Sequence, residues 1–128
     1  MTYVVDASAL LAALLGESGA DRVDAVIDGA VMTTVNLAEV VGYYAKAGGD
    51  RAAICAMLGA LPLTYFAPDE ELAIDAGVMR THTERAGLSL GDRMCLALAK
   101  RVDGIALTAD RPWAAFAKTL DVRIELIR

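Results

Sequence analysis

Four acidic side chains in this sequence lie at the ends of predicted strands or in the first turns of predicted helices, beside apolar residues, where a charged group needs a structural or a chemical reason. They are Asp6, Glu39, Asp92 and Asp110. A cluster of carboxylates without His or Cys is typical of a site for a hard cation such as Mg²⁺ or Mn²⁺, and it disfavours zinc. A bound cation of this kind makes hydroxide available near neutral pH, so the pattern indicates metal-assisted hydrolysis.

Each acid taken singly also has an ordinary explanation as a helix cap. The segments "NLAE" (36–39) and "SLGD" (89–92) match the capping box, in which the first and fourth residues bond each other's backbone amides. Asp6 and Asp110 precede predicted helices and suit the N-cap position. For any one of these residues, the sequence leaves both explanations open.

Taken together, the four acids favour a metal site over four separate caps. In an open α/β sheet, ligands bind beyond the carboxyl ends of the strands, and the acids are expected at that edge. Two carboxylates about 4 Å apart repel each other by roughly 4 kcal/mol at an effective dielectric constant near 20. Several such groups raise one another's pKa values or require a cation. Three nearby polar residues are expected to support the acids by hydrogen bonds: Ser8, Asn36 and Thr108.

The elements that must position these acids alternate between strand and helix. Short apolar runs predict strands at 2–6, 30–34, 63–66, 104–110 and 122–127. Helical periodicity with Gly or Pro boundaries predicts helices at 7–16, 18–29, 36–49, 50–61, 68–87 and 112–119, with a further helix entered at Asp92. Alternation of this kind predicts an α/β protein with a mostly parallel sheet, covered by helices on both faces.

Length and composition predict one compact domain over residues 1–128, since 56% of the residues are hydrophobic and 23% are charged. No run approaches the roughly 18 apolar residues of a membrane helix, so no membrane association is expected. Asp6 interrupts the first apolar run before it resembles a signal peptide. Cys55 and Cys95 occur in apolar helical contexts and are interpreted as reduced core residues, which suits a cytoplasmic protein.

The net charge of −5 argues against general affinity for nucleic acids. The charge is unevenly distributed, since residues 80–118 carry seven basic and four acidic side chains. This distribution has two interpretations. It indicates either a locally basic surface that could contact nucleic acid or, as is usual for a run of charges, a helix face exposed to solvent. His82, the only histidine, lies among polar neighbours and is interpreted as a surface residue rather than a catalytic base.

Four segments resemble, in order and spacing, the acidic motifs of PIN-domain ribonucleases, and most of all those of VapC-type toxins from bacterial toxin–antitoxin pairs. They are "VVDASALLA" (4–12), "NLAEV" (36–40), "GLSLGDRMCLALA" (87–99) and "LTADRPW" (107–113). The resemblance implies a PIN-like three-layer α/β/α sandwich and an endoribonuclease that depends on Mg²⁺ or Mn²⁺. It also implies a homodimer and inhibition by a cognate VapB-type antitoxin.

The family's acidic quartet and its two hydroxyls fall on residues that are all present here: Asp6, Glu39, Asp92, Asp110, Ser8 and Thr108. On this resemblance the three aspartates hold one or two cations, and the glutamate helps to bind the metal or to orient its water. Arg93 and Arg111 each follow a quartet member. They are candidates for contact with the RNA backbone, or else structural surface residues.

Two other functional classes stay open. A phosphoaspartate enzyme or receiver domain also places an aspartate at the end of its first strand and needs Mg²⁺. The phosphatase-like pattern has a second acid two residues later, where this chain has Ser8, and the receiver pattern has a late lysine that "IALTAD" (105–110) lacks. The other class is a PIN-like module that binds RNA or protein without cutting. Loss of quartet members would indicate that class, and all four are present.

Overall fold

The computed structural model describes all 128 residues and shows one central sheet of five short strands. They are β1 (Tyr3–Val5), β2 (Val31–Thr33), β3 (Thr64–Phe66), β4 (Ile105–Thr108) and β5 (Arg123–Leu126). The strand order across the sheet is β3-β2-β1-β4-β5, and every neighbouring pair is parallel. The predicted parallel sheet is therefore confirmed.

Helices connect the strands and cover both faces of the sheet. They are α1 (Ala7–Leu15), α2 (Ala20–Asp24), α3 (Thr34–Lys46), α4 (Arg51–Gly59), α5 (Glu70–Val78), α6 (Arg80–Thr83), α7 (Leu90–Arg101) and α8 (Ala117–Leu120). Two 3₁₀ segments complete the chain, at Glu84–Ala86 and Arg111–Phe116. A helical layer on each side of the sheet gives the expected three-layer α/β/α architecture.

Two apolar cores lie against opposite faces of the sheet, because successive residues of a strand point to opposite sides. Val4 belongs to the core that includes residues of α5 and α7, whereas Val5 belongs to the core that includes residues of α1 to α4. The deepest helix is α7, in which every residue from Met94 to Ala99 is buried. Such burial explains why this apolar run shows no polar face in the sequence.

The prediction of one continuous helix at 68–87 is wrong, because α5 ends at Val78 and is followed by α6 and a 3₁₀ segment. Two threonine hydroxyls donate to main-chain carbonyls at this break, Thr81 to Val78 at 3.2 Å and Thr83 to Met79 at 3.1 Å. Hydroxyls that bond carbonyls in this way compete with the regular helical ladder and bend it.

Two further helix predictions were too long or of the wrong type. The helix predicted at 18–29 contracts to the five residues of α2. The one predicted at 112–119 begins as the 3₁₀ segment Arg111–Phe116 and becomes α-helical only in α8. Pro112 stands near the start of that segment and has no backbone N–H to donate, so it contributes no hydrogen bond to the first turn.

Both cysteines are free, but only Cys95 is buried, so the assignment of Cys55 to the core is wrong. The inward face of α4 is formed instead by Ile54 and Leu58, which places Cys55 on the solvent side. His82 is exposed, as predicted. None of the helices has the length and apolar character needed to cross a bilayer.

Candidate active site

The candidate site lies where the strand order of the sheet reverses. The chain leaves β1 into α1, which packs in one core, and leaves β4 toward Trp113, which packs in the other. Because neighbouring strands β1 and β4 send their connections to opposite faces, a crevice opens between their carboxyl ends. Crevices of this kind are the usual ligand sites of open α/β sheets.

Asp6 lies at the centre of this crevice and is only 3% exposed. It occupies the N-cap position of α1, but its side chain makes no capping bond, so the capping explanation is wrong for Asp6. Instead, its Oδ2 accepts hydrogen bonds from the hydroxyls of Ser8 at 2.6 Å and Thr108 at 3.0 Å. Its Oδ1 has a single donor, the side-chain amide of Asn36 at 3.5 Å. One oxygen is thus firmly held and the other is nearly free.

Asn36 joins three parts of the site from a fully buried position. Its Nδ2 donates to Glu39 Oε1 at 2.7 Å and to the carbonyl of Gly91 at 3.2 Å. Its Oδ1 accepts the hydroxyl of Thr33 at 2.9 Å, which fixes the orientation of the amide. Asn36 therefore ties Glu39 on α3 to the first turn of α7.

The capping box predicted at 36–39 is wrong, because the N-cap of α3 lies three residues earlier than that pattern suggested. Thr33 is the N-cap, and its hydroxyl accepts the backbone N–H of Asn36 at 3.0 Å. This start places Asn36 in the first turn with its side chain facing the acids. Sequence reasoning missed Thr33, whose signal was a threonine at the end of a strand and immediately before a helical run.

Asp92 is a helix cap, but capping uses only half of its carboxylate. Its Oδ2 accepts the backbone N–H of Ser89 at 2.9 Å, and the Ser89 hydroxyl accepts the backbone N–H of Asp92 at 3.2 Å. The capping box at 89–92 is therefore confirmed. Because Oδ1 makes no hydrogen bond, Asp92 can cap α7 and still offer one oxygen to a ligand.

Asp110 occupies the N-cap position of the 3₁₀ segment Arg111–Phe116 but makes no capping bond. Its Oδ2 accepts the indole N–H of Trp113 at 3.2 Å, and its backbone N–H donates to the Thr108 hydroxyl at 3.0 Å. Trp113 is fully buried, so the ring anchors this carboxylate at the edge of the sheet. Sequence reasoning missed Trp113, although a lone tryptophan three residues after an acid was visible.

Burial and mutual repulsion raise the pKa values of three of the acids. Burial raises the pKa of Asp6 to about 6, and the charges of Asp92 and Glu39 add to this rise, while two hydroxyl donors oppose it. Burial likewise raises the pKa of Glu39, with a further contribution from the charge of Asp92. The pKa of Asp92 is raised first by burial and then by the charge of Asp110. The four carboxylates thus form one electrostatic cluster.

The four acids offer a metal ion only carboxylate oxygens as ligands. Ligands of this kind suit a hard divalent cation. No three His, Cys, Asp or Glu side chains are close enough in this arrangement to hold a metal ion together. Binding therefore requires side-chain movement. Asp92 and Glu39 are each held through one carboxylate oxygen, Oδ2 and Oε1, so the other oxygen of each can turn toward an ion.

The two arginines beside the acids face different ways. Arg93 Nη1 donates to the Ala76 carbonyl at 3.1 Å, so its guanidinium holds α5 against α7 rather than lying in the crevice. Arg111 is exposed and makes no hydrogen bond or ion pair. Of the two, Arg111 is the one that is free to meet a ligand in this structure.

The chain matches the family model of the PIN domain over residues 3–119. Its fold is similar to that of a toxin–antitoxin complex from Klebsiella pneumoniae, with a TM-score of 0.74 and 16% identity over 98% of both chains. It is also similar to VapC20 of Mycobacterium tuberculosis, described as a toxin that cleaves the sarcin–ricin loop. That pair has a TM-score of 0.70 and 20% identity over 88% of this chain and 93% of the other.

A third similar structure is VapBC-1 from nontypeable Haemophilus influenzae, with a TM-score of 0.69 and 17% identity over 99% of this chain and 98% of that one. No curated protein matches the chain significantly in sequence. Since all these identities are at or below 20%, the solved structures establish the fold of the chain and leave its activity to be argued from the crevice.

Proposed function

Since this chain belongs to the PIN domain family, we propose that its 128 residues form a single metal-dependent endoribonuclease domain. We further propose that it is the VapC-type toxin of a toxin–antitoxin pair, acting in the cytoplasm and blocking translation by cutting RNA. Two observations support the class: the acidic crevice at the strand reversal, and the likeness of the whole fold to toxin–antitoxin structures.

The observation that carries the proposal is the state of Asp6. A carboxylate that is 3% exposed loses most of its hydration, and hydroxyl donors compensate only one of its oxygens. Two other acids raise its pKa further, which is costly for a residue with a merely structural role. A divalent cation between the acids relieves both the desolvation and the repulsion.

We assign the metal to Asp6, Asp92 and Asp110, with Glu39 helping to bind the ion or to orient its water. When bound, Mg²⁺ or Mn²⁺ supplies a water of lowered pKa and stabilises negative charge on phosphate oxygens. The remaining polar residues act on the acids themselves. Ser8 and Thr108 orient Asp6, and Asn36 orients Glu39 through its 2.7 Å hydrogen bond.

Arg111 completes the assignment as the contact to the RNA backbone. It follows Asp110 directly, is exposed and has no partner within the chain. An arginine in this position can pair with a phosphate next to the one that is cut. Arg93 is assigned the structural role shown by its bond to Ala76.

We propose a VapB-type antitoxin as the protein partner. An apolar groove of about 480 Å³ lies between α3 and α4, and its lining includes Leu37, Val41, Ile54 and Leu58. The hydroxyl of Tyr65, which also lines this groove, is buried without a hydrogen-bond partner. An apolar helix of the antitoxin suits this groove, because it would cover the aliphatic side chains.

We also propose a homodimer. The outer face of α5 exposes Ile74 and Val78, which are 53% and 65% exposed and one helical turn apart. Two large aliphatic side chains on one exposed helix face favour contact with a second protein surface. A second copy of the chain is the partner that the family resemblance implies.

The proposal is tested by incubating the purified protein, freed of any antitoxin, with total bacterial RNA and with Mg²⁺ or Mn²⁺. We expect discrete cleavage products that disappear with EDTA and that Asp6→Asn does not produce. Equal cleavage by wild type and Asp6→Asn would indicate a contaminating nuclease. RNA that is bound but stays intact under all metal conditions would favour a non-catalytic PIN-like module.

A further inference from the structure

Gly91, in the first turn of α7, stands directly against the carboxylate of Glu39. A methyl group built on Gly91 would lie 2.7 Å from Cδ of Glu39 and 2.9 Å from Oε2, and still closer to Oε1. Real Cβ atoms essentially never approach other heavy atoms so closely. The glutamate can therefore occupy its observed position only because residue 91 has no side chain.

Backbone conformation does not explain this glycine. Gly91 is absent from the glycines of this chain with positive φ, and it lies within a regular helix. Alanine is the better helix former at such a position, so a glycine here weakens the helix. A glycine at this position leaves an empty space beside the helix, and the carboxylate of Glu39 fills that space.

The carbonyl of Gly91 is part of the same contact. It accepts Asn36 Nδ2 at 3.2 Å, and the same nitrogen donates to Glu39 Oε1 at 2.7 Å. Glu39 is thus held between the amide of Asn36 and the bare backbone of residue 91. The next residue along α7 is Asp92, so the contact fixes the glutamate of α3 beside an aspartate of α7.

We propose that Gly91 is a positioning residue, which places the Glu39 carboxylate within reach of the ion or water that Asp92 also faces. Its role is to leave space, and it touches no substrate itself. This inference rests on the proposed nuclease function, but the placement of Glu39 can be measured without it.

The test is a double-mutant cycle of Gly91→Ala and Glu39→Ala, with Gly42→Ala as the matched control. Gly42 lies on α3 with Glu39, is exposed, and has nothing within 4 Å of an added Cβ. Because the far end of Glu39 can swing into solvent, Gly91→Ala should fold. Thermal unfolding in EDTA, Mn²⁺ titration calorimetry, RNA cleavage and the NMR signals of the Asn36 side-chain amide are measured for each protein.

We expect Gly91→Ala to weaken Mn²⁺ binding and cleavage by about tenfold or more, the usual effect of losing a residue that supports a metal ligand. In the Glu39→Ala background, the same change should have almost no effect, because no carboxylate is left to displace. The Asn36 amide signals of metal-free Gly91→Ala should shift toward those of Glu39→Ala, whereas Gly42→Ala should leave them unchanged.

Three results would overturn the inference. The first is a Gly91→Ala protein that binds Mn²⁺ and cleaves RNA like the wild type. The second is an equal loss from Gly91→Ala with and without Glu39, since the residue would then act by another route. The third is an Asn36 amide signal that Gly91→Ala leaves in place. A wild type that neither binds Mn²⁺ nor cleaves RNA, with the expected Asn36 shift, refutes the nuclease function and leaves only the placement of Glu39 standing.

Discussion

Asp6→Asn separates the charge of this residue from its shape. Asparagine keeps an oxygen that can accept the hydroxyls of Ser8 and Thr108, but it carries no negative charge. In the metal-free protein at neutral pH, the negative charge of Asp6 lowers the stability of the folded state, because the charge is buried and lies near other acids. We therefore expect the variant to be more stable than the wild type without metal, and to have lost RNA cleavage.

The magnitude follows from the pKa of Asp6, which folding raises from 3.8 to about 6. One pKa unit corresponds to about 1.4 kcal/mol, so this shift corresponds to about 3 kcal/mol. The folded protein holds this proton more tightly than the unfolded chain does. The stabilisation from protonated Asp6 is therefore complete below pH 3.8, and it is lost as the pH rises to about 6.

Urea unfolding of both proteins in EDTA, repeated across this pH range, gives the measurement. The stability advantage of Asp6→Asn should be close to zero near pH 4, grow as the pH rises, and approach a ceiling of about 3 kcal/mol at neutral pH. Asp50→Asn is the matched control, because Asp50 is an exposed N-cap of α4 and asparagine caps equally well. If Asp6→Asn is less stable than the wild type at neutral pH, or if its gain in stability does not change with pH, then the buried charge of Asp6 is not what destabilises the metal-free protein.

Asp92→Asn should abolish cleavage while metal-free stability holds steady or rises, because burial and the charge of Asp110 oppose the charge of Asp92. Asp92→Ala should also lose about 1 kcal/mol of unfolding free energy with the capping bond to Ser89. An Asp92→Asn protein that still cuts RNA would make this residue a cap alone. Trp113→Phe should lower the unfolding free energy by about 1–2 kcal/mol and slow cleavage, because it removes the indole donor of Asp110. Cleavage at the wild-type rate would show that this anchor is dispensable. Sedimentation should show a homodimer, and a monomer at high concentration would contradict the proposed pairing.

The sheet was predictable because each strand is a short apolar run next to a turn or a helix start. Each of the five predicted strands contains an observed one, with no end trimmed by more than two residues. The start of α7 was also predictable, because a Ser-x-x-Asp pattern specifies its own hydrogen bonds locally. The break after Val78 was not, because a threonine hydroxyl can bond a carbonyl or leave it to the helix, and the sequence does not decide which.

At the site, sequence patterns identified the acids and the hydrogen-bonding residues Ser8, Asn36 and Thr108, but they did not identify Thr33 or Trp113. Whether Asn36 caps a helix or faces Asp6 depends on where α3 begins, and Thr33 sets that start. The contact between Gly91 and Glu39 joins two helices that are far apart in the chain, so no local pattern contains it. Long-range contacts of this kind emerge only when the fold brings the strand ends together.

The most direct test of the metal site is titration calorimetry of Mn²⁺ into the metal-free protein, beside Asp6→Asn and the control Gly42→Ala. We expect the wild type and Gly42→Ala to bind Mn²⁺ and Asp6→Asn not to bind it, since the substitution removes the buried charge at the centre of the crevice. Absence of binding to the wild type, or equal binding to Asp6→Asn, would contradict the claim that these carboxylates form a metal centre.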